Sequence, residues 1–387
     1  MPLKKKILSF LLLPLILIVC PLSSFARVPN DPYYSYQTYL SSPASNSISD
    51  IWDVVDSSAS SIIAVIDTGA ALNHPDLRNN LWINSYEIPD NGIDDDHNGF
   101  VDDVHGYDFR NDDGTPEDAW GHGSVIAGII GAVGNNGIGV AGVDWSAQLM
   151  ILQVFGTEAE GSGYVNDFVD AIHYAVHQGA KIINASWRVK PSHHGDDVPL
   201  LKEAIQEAGD AGVLVITSAG NDSLDLDQNP VYPAAYDLDN VISVAALNSS
   251  KGTLLSNSNY GHKSVSLAVP GDGLLGTYLA NGYASLTGTS AAAAYVSGVA
   301  GLILEKKPKM TPSEIKHLLI GTSHHDTSLE SAVAAEGAMD ARSALVTSTG
   351  ISSAPQSNTT STVSSGSPAS TQDSPAPSAA GSCSLIP

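Results

Sequence analysis

From Ser61 to about Gly220 short aliphatic and β-branched runs alternate with longer stretches in which apolar positions recur every three or four residues. The runs 61–66 (SIIAVI), 147–155 (AQLMILQVF), 180–186 (AKIINAS) and 213–220 (VLVITSAG) read as strands, apolar almost throughout, as strands buried on both faces are. Between them, 165–179 (VNDFVDAIHYAVHQG) and 198–212 (VPLLKEAIQEAGDAG) carry the spacing of amphipathic helices. Strand and helix in repetition predict an α/β fold: a three-layer, mostly parallel, doubly wound sheet with helices on both faces. In such a sheet functional groups gather beyond the carboxyl ends of the strands.

Both ends of the chain depart from this pattern. Lys4, Lys5 and Lys6, an apolar run from Ile7 to Cys20 and the small-x-small sequence Ser24-Phe25-Ala26 make residues 1–26 a secretory signal peptide. The run is interrupted by Pro14, and no later stretch approaches the ~20 apolar residues of a membrane span. Lipid attachment at Cys20 is an alternative, disfavoured by Val19 before it and Pro21 after it. From Thr347 to the end the chain turns to Ser, Thr, Pro, Ala and Gly, which cannot bury enough surface to fold, and 347–387 reads as a disordered tail. Residues 27–346 remain for one folded domain.

The formal net charge is −24, and loss of the three lysines with the signal would take it to −27. Such a surface repels nucleic acid and anionic membrane, and suits a soluble exported protein or one loaded with cations. A generically soluble acidic surface accounts for it as well. Secretion, with a periplasmic location or attachment at the cell surface through the tail as alternatives, is therefore expected. Of the two cysteines only Cys383 lies outside the signal, so no intramolecular disulfide is available.

Three polar residues stand where an apolar element meets a glycine turn. Asp67 ends the run SIIAVIDTG, His122 opens GHGSVIAGIIGA, and Ser290 lies in LTGTSAAAAYVSGVAGL, where a strand end turns into an alanine-rich helix. Singly they are a turn Asp, a loop His and a helix cap. Together they offer an acid, a base and a nucleophile. On these residues, in the order Asp, His, Ser, the chain resembles the subtilisin-like serine peptidases, most closely their thermitase-like branch, over roughly residues 28–344.

The resemblance implies peptide hydrolysis through an acyl-enzyme, with Asn221 in ITSAGNDS and the Ser290 backbone N–H as oxyanion donors. It places protein or peptide substrates as an extended strand along Ser186 and Trp187 of NASWRV and along Gly220, with Val231 of PVYPAAY on the floor of the first specificity pocket. A branched side chain there favours medium apolar residues. Arg188 stands where the family usually has Gly, so the groove's upper edge is expected to be narrowed or positively charged. Val125, Ala291 and the pair Ala294-Tyr295 also depart from the family's usual residues, but none of them removes a reacting group.

Asp94, Asp96, Asn98 and Asp102, with Gly99, spell D-x-D-x-N-G-x-x-D, oxygens at alternate positions around a glycine bend as in the first half of an EF-hand loop for Ca²⁺. Position 12 is His105 rather than a bidentate Glu, and a solvated acidic insertion over 90–105 is the other reading. The resemblance implies a second calcium site from Asp31, Asp76 and Asn136 with the carbonyls of Gly134, Ile138 and Val140; a glycine-rich surface turn is the alternative. The expectation is a secreted, monomeric, calcium-stabilised serine endopeptidase of broad, mainly apolar preference. A catalytically inactive, calcium-dependent surface-binding module on the same fold is the competing one, and covalent labelling of Ser290 separates them.

Overall fold

The computed structural model describes residues 28–41, 48–52, 61–156, 164–189 and 197–349. The expected signal peptide lies outside them, as does the tail beyond 349. In chain order the strands are β1 (Ile62–Asp67), β2 (Gly106–Asp108), β3 (Gln148–Gln153), β4 (Ile182–Ala185), β5 (Leu214–Ser218), β6 (Val241–Leu247), β7 (Leu267–Pro270), β8 (Leu274–Tyr278), β9 (Gly282–Leu286), β10 (His324–His325) and β11 (Gly337–Ala338). The helices are α1 (Thr38–Ser41), α2 (His122–Gly131), α3 (Val165–His177), α4 (Asp197–Asp210), α5 (Thr289–Lys306), α6 (Pro312–Gly321) and α7 (Ala341–Thr349).

Nine strands form one sheet in the order β10-β11-β7-β6-β5-β4-β1-β3-β2, parallel at every pairing except β10 with β11. The four runs identified as strands are β1, β3, β4 and β5, which lie side by side in the sheet as β5-β4-β1-β3. Because side chains alternate along a strand, β1 feeds two cores at once. Ile63 and Val65 join Ile151, Ile182 and Ile216 against α2 and α5, while Ala64 and Ile66 join Met150, Leu152 and Ile183 against α3 and α4. Each fully buried Ile or Leu contributes about 1.5–3 kcal/mol of transfer free energy. This is the three-layer α/β architecture expected, with the sheet buried on both faces.

α5 is buried on nearly all sides, and only Ser290 and Lys306 along it escape the interior. A helix apolar all round belongs inside a protein, and its run Ala291 to Ala294 keeps it slim enough to pass beneath the sheet. α7 runs to Thr349, past the change of composition at 347, because Ala344 and Leu345 are buried in the same core as α5. Among the described residues no helix is long and apolar enough to cross a membrane.

Candidate active site

β1 ends at Asp67, α2 begins at His122 and α5 has Ser290 as its second residue. Asp67 and the segments after β4 and β5 lie at the carboxyl edge of the parallel sheet, where its loops converge. Gly123, directly after His122, permits the approach of α2 to β1: a Cβ there would sit 2.1 Å from the Gly69 carbonyl and 3.2 Å from the Asp67 side chain. With that contact available, Nδ1 of His122 lies 2.6 Å from Oδ1 of Asp67, and both side chains are only 1% exposed. Thr68 N–H donates to the same Asp67 oxygen at 2.8 Å. Burial disfavours the charged imidazolium, but Asp67, and more weakly Asp118, outweigh it and raise the His122 pKa above its ordinary 6.5. A ring held through Nδ1 leaves Nε2 to exchange a proton with a substrate group.

Asp118 was not legible as a site residue, yet it organises the start of α2. Its buried carboxylate accepts from the N–H groups of Trp120, Gly121 and Ser124 and from the hydroxyls of Thr68 and Ser124, at 2.7–3.0 Å. Thr68 in turn accepts from Gly123 N–H at 2.9 Å. Free helix N-terminal amides are thus taken up by a carboxylate, which also ties the His122 turn to the residue after Asp67. The available signal was an Asp four residues before the His in DAWGH.

The Ser290 hydroxyl donates to the Ser186 carbonyl at 3.3 Å, and the Ser186 hydroxyl lies 3.3 Å from the Ser290 carbonyl and 2.9 Å from Asn184 Oδ1. Asn184 on β4 donates to Ser297 on α5, so the nucleophile's helix is fastened to the strand leading into Ser186. Thr289, whose role its local sequence does not signal, fixes Asn221: its N–H and hydroxyl donate to Asn221 Oδ1 at 3.0 and 3.2 Å. With the oxygen committed, the Asn221 amide nitrogen remains as a donor at the start of α5. Gly220 N–H donates to the Thr289 hydroxyl at 3.0 Å.

Trp187 does not line a groove with its ring. The indole is buried and stacked on Phe168 at 4.0 Å between centroids, 18° from parallel. Val231 is buried among Ala219, Leu226 and Ala245, beneath the segment that carries Gly220. Arg188 is paired with Asp222, Nη1 to Oδ2 at 2.5 Å and Nη2 to Oδ1 at 3.1 Å, so the expected excess positive charge at the groove edge is neutralised.

Asp31 and Asp76, both buried, converge on the loop 134–140. Asp31 accepts the N–H groups of Asn135 and Asn136, and Asp76 accepts from the Asn136 side chain, Val140 N–H and the Tyr283 hydroxyl. Burial raises the pKa of both, and for Asp31 the neighbouring Asp76 adds to it. Two desolvated carboxylates facing one another are what a hard cation stabilises. Ile138, by contrast, presents an exposed side chain and only its backbone to this loop.

In the acidic insertion the carboxylates that meet are Glu87, Asp96 and Asp103, whose oxygens lie within 4.8 Å of one another. Asp96 belongs to the set anticipated from the sequence; Glu87 and the buried Asp103 do not. Asn98 donates to Asp96 and Asp103, Asp94 accepts the N–H groups of Asn98 and Gly99, and Asp102 turns away to those of Asn91 and Gly92. Asp102 thus braces the loop from outside, and the oxygen cluster is completed by Glu87 upstream of the D-x-D-x-N-G run and by Asp103 directly after Asp102.

This arrangement on a three-layer α/β sheet defines a class of protein. Residues 58–335 match the subtilase family of peptidases, and the chain belongs to that family. It is 35% identical over 275 residues to thermitase of Thermoactinomyces vulgaris, covering 71% of this chain and 85% of that one. It is also 35% identical over 301 residues to subtilisin-like protease 1 of Plasmodium falciparum, which accounts for 73% of this chain but only 43% of that relative's length. A protease structure from Pseudoalteromonas arctica superposes with a TM-score of 0.64 at 27% identity, covering 83% of this chain and 99% of that one.

Proposed function

We propose that the chain is an exported serine endopeptidase that works through Asp67, His122 and Ser290, with Asn221 and the Ser290 N–H as oxyanion donors. The bond from His122 Nδ1 to Asp67 at 2.6 Å carries this reading, because it commits one ring nitrogen and leaves the other to serve as base. In this mechanism the Ser290 hydroxyl, which donates to the Ser186 carbonyl at 3.3 Å, turns instead to His122 Nε2; bonds of this kind often form only once substrate is bound. His122 then accepts the hydroxyl proton as the oxygen attacks the peptide carbonyl, and Asp67 stabilises the imidazolium. The oxyanion is met by the Asn221 amide and by the Ser290 N–H, one of the first free amides of α5. His122 returns the proton to the leaving amine, and water repeats the sequence on the acyl-enzyme.

Calcium fits the two oxygen-rich loops, one around Asp31, Asp76 and Asn136 and the other around Glu87, Asp96 and Asp103. When bound it would neutralise buried carboxylates and hold the loops that flank α2, away from the reacting atoms. The acidic net charge and the signal-like N-terminus support action outside the cell, on protein and peptide substrates, as a monomer. The test is hydrolysis of an unfolded protein such as casein by the purified chain and by its Ser290→Ala variant: activity in the first and none above background in the second are expected. Equal activity in both would remove Ser290 from the mechanism.

A further inference from the structure

β4 and β5 are paired up to Ala185 and Thr217. Beyond that register their extensions part. Ala219 N–H bonds to Val244 on β6, whereas Val189 exchanges two bonds with Tyr232, its N–H to the Tyr232 carbonyl at 2.7 Å and the Tyr232 N–H to its own carbonyl at 3.0 Å. A gap therefore opens between 186–189 and 219–222, with Val231 beneath it. Ser290 adjoins it through Ser186 and Asn221 through Gly220; in the peptidase mechanism proposed above, the side chain of the residue whose carbonyl is attacked would enter it.

The gap is crossed by the forked pair Arg188–Asp222, whose side chains are only 8% and 22% exposed. The guanidinium thus fills the space instead of reaching into solvent. Its far wall is rigid: buried Asn259 donates to the Ala219 carbonyl and accepts the N–H groups of Asp222 and Leu224. Gly220, at φ +102, is pressed close enough that a Cβ would lie 3.0 Å from Arg188 Nη1.

We infer that the Arg188–Asp222 pair is the element that sets specificity, a bar across the primary pocket that admits small and medium side chains and excludes large ones. This rests on the peptidase reading above. The pair is bidentate, so Lys cannot replace Arg in the same shape, and its charges cancel, so no acidic preference arises while it is intact. Removing Arg188 opens the gap down to Val231. Removing the charge of Asp222 alone leaves an uncompensated cation at the pocket wall.

The experiment measures kcat/KM on peptide p-nitroanilides that differ only in the residue before the cleaved bond, Ala, Leu, Phe or Glu, for the wild type, Arg188→Gly, Arg188→Ala and Asp222→Asn. Fluorophosphonate labelling of Ser290 counts competent sites in each. The wild type should favour Ala and Leu over Phe. Either Arg188 variant should raise the Phe-to-Ala ratio by about tenfold or more, the scale of a few methylenes' worth of pocket space. Asp222→Asn should raise the Glu-to-Ala ratio. A Phe-to-Ala ratio unchanged in both Arg188 variants, at undiminished Ser290 labelling, overturns the inference while the peptidase reading stands. No hydrolysis and no labelling in the folded wild type would overturn both.

Discussion

The imidazole Nδ1 of His122 and the carboxylate Oδ1 of Asp67 lie 2.6 Å apart in a pocket that solvent barely reaches. The His122 pKa is therefore set by two opposed effects, burial lowering it and the Asp67 charge raising it, and the second prevails. A base must be neutral to accept a proton, so activity is lost as pH falls through this value. The acid limb of kcat/KM should have its midpoint above 6.5. Asp67→Asn should move that midpoint down and lower kcat by about 10⁴, the scale known for this substitution in a Ser-His-Asp site. For stability the sign is reversed: the pair's contribution is fully present below the unfolded His pKa and is lost as pH rises through the folded one. A midpoint that ignores Asp67→Asn would assign the limb to another group.

Asp118 touches no substrate in this account and acts by positioning. Asp118→Ala would leave buried amides and hydroxyls of α2 and Thr68 without a partner, at a cost of about 2–5 kcal/mol in unfolding free energy. Asp118→Asn retains the shape and part of the bonding, and should lose less. Because the defect lies beneath His122, kcat should fall more than KM rises. Denaturant unfolding together with steady-state kinetics on both variants measures this; wild-type values for Asp118→Ala would show that the cap is dispensable.

Thr289 holds the side chain of Asn221, whose amide is proposed to meet the oxyanion. Asn221→Ala should lower kcat by about 10²–10³, a magnitude taken from subtilisin itself, with little effect on KM. Thr289→Val removes the hydroxyl that donates to Asn221 and accepts from Gly220, and should produce a smaller fall of the same kind. If Thr289→Val instead raised KM at constant kcat, Thr289 would be shaping the groove and not the oxyanion site.

Calcium held at the two proposed loops would make stability depend on free calcium. Chelation should lower Tm, and at a calcium concentration a thousandfold above Kd the linked stabilisation is about 4 kcal/mol. Asp31 and Asp76 have raised pKa values, so acidification protonates them, and the loss of cation begins at a higher pH than for ordinary carboxylates. Asp76→Ala should remove much of the calcium-dependent shift in Tm, and Asp103→Ala should remove a separate part of it. A Tm indifferent to chelator in the wild type would leave both loops as hydrogen-bonded acidic turns.

Much of this molecule was legible in its sequence because two signals agreed. The aliphatic runs that became β1, β3, β4 and β5 are too continuous for half-exposed strands, and Asp67, His122 and Ser290 all sit at the edges of such elements. The supporting residues were hidden for a physical reason. Asp118, Thr289 and Asn184 act through bonds to residues distant in the chain, and locally they look like any cap, turn or strand-end residue. The acidic loop misled differently: alternate spacing put Asp94 and Asp102 in one set, but the backbone turns both carboxylates onto nearby amides, while Glu87 and Asp103 close the cluster. Arg188 stood out as an oddity, and only the fold reveals Asp222 as its partner.

We propose Ser290 as a nucleophile made reactive by His122 and Asp67. Treating the folded chain with a fluorophosphonate and locating the adduct by mass spectrometry tests it most directly. One adduct is expected, on Ser290, abolished in His122→Ala and fading on acidification in step with hydrolysis. A folded wild-type chain that takes up no label at Ser290, or takes it up equally without His122, would contradict it.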